Sequence, residues 1–107
     1  MTLINAFSVP LTQAELFLRR WRDNARLMAA AEGFVRARMF QAVSDRAELT
    51  FVNVAEWSNG TALDSARTNP AWVASIQRMI GDPELDVTAR PMVYNTALDV
   101  APGDLLP

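Results

Sequence analysis

The 107-residue chain contains no cysteine, no histidine and no lysine. Without cysteine there is no disulfide, no thiolate nucleophile and no cysteine-held zinc or iron–sulfur centre. Without histidine the usual imidazole base is missing, and with it the commonest metal and haem ligand. All ten basic residues are arginine, so a lysine Schiff base is impossible as well. The carboxylates show no cluster with metal-site spacing, and no metal is expected. A net charge of −2 carries no strong sign, and no basic run stands out. Nucleic acid is therefore not an expected partner, because neutralising phosphates takes clustered cations. No apolar run approaches the roughly 18 residues of a membrane span. The opening Met1-Thr2-Leu3-Ile4-Asn5 has no basic signal region, so the expectation is a cytoplasmic protein with no membrane partner. Any chemistry falls to asparagine, tryptophan, tyrosine, arginine, carboxylates or the substrate's own reactivity.

What is present is a half-apolar chain, at 50% hydrophobic residues, which is enough for one packed core. The expected organisation is a single domain over residues 1–100 and a tail over 101–107, where proline and glycine recur. A domain of this size hides its surface only moderately well, so a subunit interface would help.

The order of elements can be read from the apolar period. Residues 2–9 read as a strand with Leu3, Asn5, Phe7 and Val9 on one face, ended by Pro10. Thr12-Gln13-Ala14-Glu15 has the form of a capping box. The helix that follows places Ala14, Leu18, Trp21, Ala25 and Met28 on one stripe with Phe17 beside it, and Gly33 stops it. Residues 34–43 read as a second strand with Val35, Ala37 and Met39 inward. Residues 47–57 read as a third, with Leu49, Phe51, Asn53, Ala55 and Trp57 sharing a face. A helical stretch over about 61–67 breaks at Asn69-Pro70 and restarts, with Trp72, Ser75, Ile76 and Met79 on one side. Residues 87–98 complete the set as a strand in which Pro91 argues for an edge.

The order is β-α-β-β-α-β, a ferredoxin-like α+β fold: a four-stranded antiparallel sheet with helices on one face. The other face also carries apolar side chains, namely Ile4, Phe34, Phe40, Val52, Val54 and Met92. A homodimer packing two such faces into one α/β barrel would cover them.

The segment Phe51-Val52-Asn53-Val54-Ala55-Glu56-Trp57, after Gly33-Phe34-Val35 and before Asn69-Pro70, resembles the antibiotic biosynthesis monooxygenase family over about residues 2–94. That resemblance implies the dimeric α/β barrel with a pocket between sheet and helices. It implies an oxidoreductase activity in which some members turn polycyclic aromatic compounds into quinones with O₂ and no flavin, haem or metal cofactor. Asn53 and Trp57 match the asparagine and tryptophan that quinone-forming members place in the pocket, so these are the candidate catalytic residues. Met39 and Leu63 stand where such enzymes can carry tyrosines, and Gln77 or Arg78 is nearest to a pocket arginine. Asn5 can match the first-strand asparagine of a haem-degrading branch, but Ala66 and Ile76 fall where that branch has a tryptophan and its iron-binding histidine. No haem is expected.

From residue type alone, Asn53 is either an amide satisfied by backbone groups or one that steadies negative charge on a substrate oxygen. Trp57 is a core plug, an aromatic pocket wall, or both. Asn5 is a second candidate polar group, with Phe7, Met39, Phe51 and Leu63 as candidate lining. Trp72 and Ile76 are lining or core. Arg78 either meets an anionic substrate or is solvated, and Tyr94 is lining or a structural hydrogen bonder. The expected function is a cofactor-independent monooxygenase acting with O₂ on a small electron-rich phenol or hydroquinone. The alternative is a non-catalytic dimer that binds a small aromatic ligand.

Overall fold

Alternating inward Leu3 and Phe7, both buried, make Thr2–Ser8 the first strand, β1, in the computed structural model, which describes residues 1–107. Pro10 ends it and opens a single 3-10 turn, Leu11–Gln13, before helix α1, Ala14–Ala30. The expected capping box does not form. The Gln13 N–H donates to the Pro10 carbonyl at 2.9 Å, which puts Gln13 at the cap position without a side-chain cap. Its amide is used elsewhere: Nε2 donates to Asp86 Oδ2 at 3.1 Å, and Oε1 accepts from the Asp86 N–H at 2.7 Å. The buried stripe of α1 is Phe17, Trp21, Asn24 and Met28, with Ala14, Leu18 and Ala25 half-buried beside it.

The remaining elements are β2 (Phe34–Gln41), β3 (Phe51–Trp57), α2 (Gly60–Thr68), α3 (Pro70–Ile80) and β4 (Thr88–Tyr94). Asn59 caps α2 by accepting from the Ala62 N–H at 2.8 Å, and Asn69 caps α3 by accepting from Ala71 at 2.9 Å. Pro70 takes the first helical position, where a missing N–H costs nothing. The strands are shorter than their apolar patterns suggest. β3 begins at Phe51 because Thr50 is drawn onto the end of β1: its Oγ1 accepts from the Val9 N–H at 2.8 Å and donates to the Val9 carbonyl at 2.9 Å. β4 stops at Tyr94 because that residue already faces Thr2, the first residue of β1. Everything from residue 95 on is exposed.

The sheet runs β2-β3-β1-β4 with every neighbour antiparallel, and β4 is an edge, where Pro91 is tolerated. This is the ferredoxin-like α+β arrangement, with the helices on one side. The inward face holds Phe51, Asn53, Ala55 and Trp57 of β3, all buried. On β2 the expected parity fails at the start. A bulge between Phe34 and Arg36 turns Phe34 inward, edge-on to Trp57 at 5.3 Å between ring centres, and leaves Val35 60% exposed. Gly33 precedes it at φ 81°, and a Cβ there would run into Ala62 and Ser58, so only glycine fits. Across the sheet, Phe40 and Met92 are 47% and 58% exposed, flanking half-buried Ile4, Val52 and Val54.

Candidate substrate cavity

Two-residue alternation carries Leu3, Asn5 and Phe7 to the helix side of β1, and antiparallel pairing sets Asn5 between Asn53 on β3 and Pro91 on β4. These residues form the floor of a cavity of about 340 Å³. Trp21, Asn24 and Met28 of α1 and Trp72, Ile76 and Met79 of α3 close it from above. Both helices present those residues at three- and four-residue intervals, so each cavity wall is one helical stripe. Val73, Gln77, Ile80, Ala89 and Arg67 complete the lining.

Of the candidate site residues singled out from the sequence, Asn5, Phe7, Asn53, Trp72, Ile76 and Gln77 border this cavity, and Met39, Phe51, Trp57, Leu63, Arg78 and Tyr94 do not. Trp57 lies beyond it on β3, 2% exposed, its ring between Phe34 at 5.3 Å and Trp72 at 6.2 Å. Phe51 is filled against Phe17, 4.7 Å between ring centres, and Leu63 is core at 1% exposure. Met39 is half-buried against the core from β2. Arg78 sits two residues past Ile76, which turns it to the other side of α3, over a groove with Arg20 and Asp82. Tyr94 pairs with Thr2 on the open face of the sheet, 48% exposed.

Two polar cavity residues were missed. Asn24 is a polar residue inside the apolar stripe of α1, and that interruption is itself a signal. Arg67 lies four residues after buried Leu63 on α2, so it shares a face with a core residue. Arg67 is the one charged residue in the lining, it is half-buried, and it enters none of the three ion pairs of the fold.

The polar groups are unevenly satisfied. Asn53 is 2% exposed, and no side-chain hydrogen bond ties it to the protein. Asn24 Nδ2 donates to Ser75 Oγ at 3.1 Å, and Ser75 Oγ donates to the Trp72 carbonyl at 3.0 Å. Asn5 Oδ1, Asn24 Oδ1 and Trp57 Nε1 are buried with no partner. No carboxylate, tyrosine or other proton acceptor of neutral-pH strength lines the space. The one carboxyl displaced from its ordinary pKa lies outside it. Asp82 is held below the usual carboxylate range by the Arg20 guanidinium at 2.8 Å and the Glu84 N–H at 2.9 Å. With Gln13–Asp86, this pair ties the α3–β4 connection to α1.

Fold and cavity together define a small α+β domain that keeps an amide-lined space between its sheet and its helices. The chain belongs to the antibiotic biosynthesis monooxygenase family, whose model matches residues 1–78, and it is a small monooxygenase-like protein. Its backbone is similar to a proposed monooxygenase from Shewanella loihica (22% identity, 92% of this chain and 94% of that one, TM-score 0.72). It is similar to SnoaB, a cofactor-independent oxygenase from Streptomyces nogalater (22% identity, 91% and 94% covered, TM-score 0.68). A proposed antibiotic biosynthesis monooxygenase from Nitrosomonas europaea superposes at 13% identity, with 92% and 100% covered and a TM-score of 0.68. No curated protein sequence matches the chain.

Proposed function

We propose that this protein is a cofactor-independent monooxygenase that oxidises an electron-rich phenol or hydroquinone with O₂. The observation that carries the reading is Asn53, a buried amide on the cavity floor with no partner in the protein. Burying an amide without a hydrogen bond is costly, which a substrate oxygen would offset. The Asn53 N–H would meet that oxygen and favour its ionised form, with Arg67 adding positive charge and Asn5 beside it. Trp21, Trp72, Phe7 and Ile76 would hold the ring and keep water away from it. A phenolate so held is electron-rich enough to reduce O₂ itself. From a phenol or anthrone, one oxygen atom enters the ring as a quinone carbonyl and the other leaves as water. From a hydroquinone, the oxygen enters as a ring hydroxyl and the product is a hydroxyquinone plus water. In both cases all four electrons come from the substrate. With no base in the lining, the phenol proton passes to solvent. Cofactor independence and the aromatic substrate are both part of this proposal, as is assembly through the open sheet face into a homodimer.

The test is aerobic incubation of metal-free protein with a panel of hydroquinones and anthrones, following O₂ uptake and quinone absorbance. Consumption above the protein-free rate, with one quinone formed per O₂, supports the reading; no consumption with any of the panel overturns it. The lack of a base in the lining also fits a second reading, a non-catalytic protein that binds the same aromatics. Saturable binding without O₂ uptake identifies that case.

A further inference from the structure

Asn24 sits at the cavity wall in a fixed orientation that the proposed chemistry does not use. The Ser75 hydroxyl has one hydrogen, and it is committed to the Trp72 carbonyl at 3.0 Å. Toward α1, Ser75 Oγ can therefore only accept, so the Asn24 group facing it at 3.1 Å must be the NH₂. Turning the amide over would set two lone pairs against each other unless Ser75 gave up its bond to the Trp72 carbonyl. Its oxygen, Oδ1, is left over without a partner and almost wholly enclosed, on a residue that lines the cavity, so a ligand hydroxyl reaches it by a small shift of the side chains around it. A pair that only pinned α1 to α3 would gain nothing from an unused acceptor, because an apolar contact would serve as well.

We propose that Asn24 is a specificity-determining residue of the cavity, set by Ser75 to present an acceptor, and that the ligand carries a second hydroxyl which donates to Asn24 Oδ1. Asn5 Oδ1 is likewise buried and unsatisfied, so both enclosed, partnerless polar atoms of the lining are acceptors. A dihydroxylated aromatic fits it; a ring with one oxygen leaves Asn24 as unsatisfied as it is in the free protein. This rests on the aromatic ligand proposed above but not on turnover.

The test is calorimetric binding under nitrogen, where no oxidation intervenes, of 1,5-dihydroxynaphthalene and 1-naphthol. Wild type should bind the diol roughly five- to tenfold more tightly, the worth of one net hydrogen bond. Asn24→Leu should lose or reverse the preference, read as the ratio of the two affinities within the variant, since the second hydroxyl is then buried unpaired. Ser75→Ala is the milder variant: it frees the amide to turn, and the preference should shrink with Asn24 still present. Melting curves of both variants check the fold. A wild-type preference that survives both substitutions overturns the assignment, as does a wild type that binds 1-naphthol without preferring the diol. A wild type that binds neither naphthol overturns the aromatic reading and this one with it. Failure of the O₂-uptake assay alone leaves the binding comparison intact.

Discussion

Replacing Asn53 with alanine separates a structural amide from a ligand-facing one, and the structure sets both magnitudes. The side chain has no hydrogen bond to the protein, so Asn53→Ala removes no hydrogen bond of the folded state, and the packing contacts it loses are set against the desolvation of a buried amide. The stability change should stay within about 0.5 kcal/mol, a shift in Tm of less than about 4 °C for a domain of this size. Its neighbour on the same strand face is the control. Phe51, 1% exposed and 4.7 Å from the ring of Phe17, should cost about 3–5 kcal/mol as alanine, or at least about 12 °C. The effect on substrate runs the other way. A hydrogen bond to an ionised oxygen is worth about 1.5–3 kcal/mol, so Asn53→Ala should lower kcat/KM roughly 10- to 150-fold. Asn53→Asp keeps the shape and adds a charge that repels a phenolate, so it should be at least as harmful as alanine. Differential scanning fluorimetry and steady-state O₂ uptake read the two quantities on the same samples. An Asn53→Ala variant that melts like Phe51→Ala, with no separate loss in kcat/KM, would refute the assignment and return the residue to the core.

Four further outcomes are expected. Thr50→Val should cost about 1–3 kcal/mol in urea melts, because the buried Val9 N–H loses its 2.8 Å partner. Gly33→Ala should cost at least about 2 kcal/mol by the same measurement, since a left-handed φ of 81° and contact with Ala62 and Ser58 act together. Asp82 has a folded-state pKa below its unfolded value, so the Arg20 pair stabilises the fold above the ordinary carboxylate range and fades as pH falls through the folded value; melting temperatures of wild type and Asp82→Asn should differ at neutral pH and converge in acid. Sedimentation should find a dimer at micromolar concentration that Val52→Asp, on the open face, converts to monomer; a wild-type monomer would remove the interface from the proposal.

Most of the fold was legible because one face of each element is apolar at the period of that element. The failures came where a partner, rather than the element's own pattern, sets the outcome. Strict alternation carries Val35 inward and Phe34 outward, but a bulge inserts one residue and the larger ring takes the place beside Trp57. The residues before Phe51 alternate well enough for a strand, yet Thr50 closes the ladder onto the end of β1. Thr12 and Glu15 carry a capping pattern that is idle because the turn from Pro10 already supplies the helix start.

The site was legible to the extent that polarity interrupts an inward face. Asn53 and Asn5 both do so, and antiparallel register then puts them side by side. Asn24 does so on α1 in the same way, four residues from Met28 and three from Trp21. The stripe drawn through Ala25 instead was one residue off in rotation, about 100°, enough to turn the amide from wall to flank. What sequence spacing could not show is which stretch of the inward face stays unfilled. Phe51, Leu63 and Trp57 face the same way as Asn53, but Phe17, Phe34 and Trp72 occupy the volume in front of Phe51 and Trp57, and Leu63 is packed at 1% exposure. A cavity persists only where the summed side-chain volumes of two helices and a sheet fall short. Here that shortfall lies over β1, where Asn5 faces Asn53 and Pro91, and away from the Trp57 end of β3. Trp57 therefore lies next to a pocket wall, Trp72, rather than in the pocket. Any effect of Trp57→Phe on substrate should accordingly pass through the position of Trp72. It should appear in KM and in tryptophan fluorescence together, and a change in kcat alone would contradict this placement.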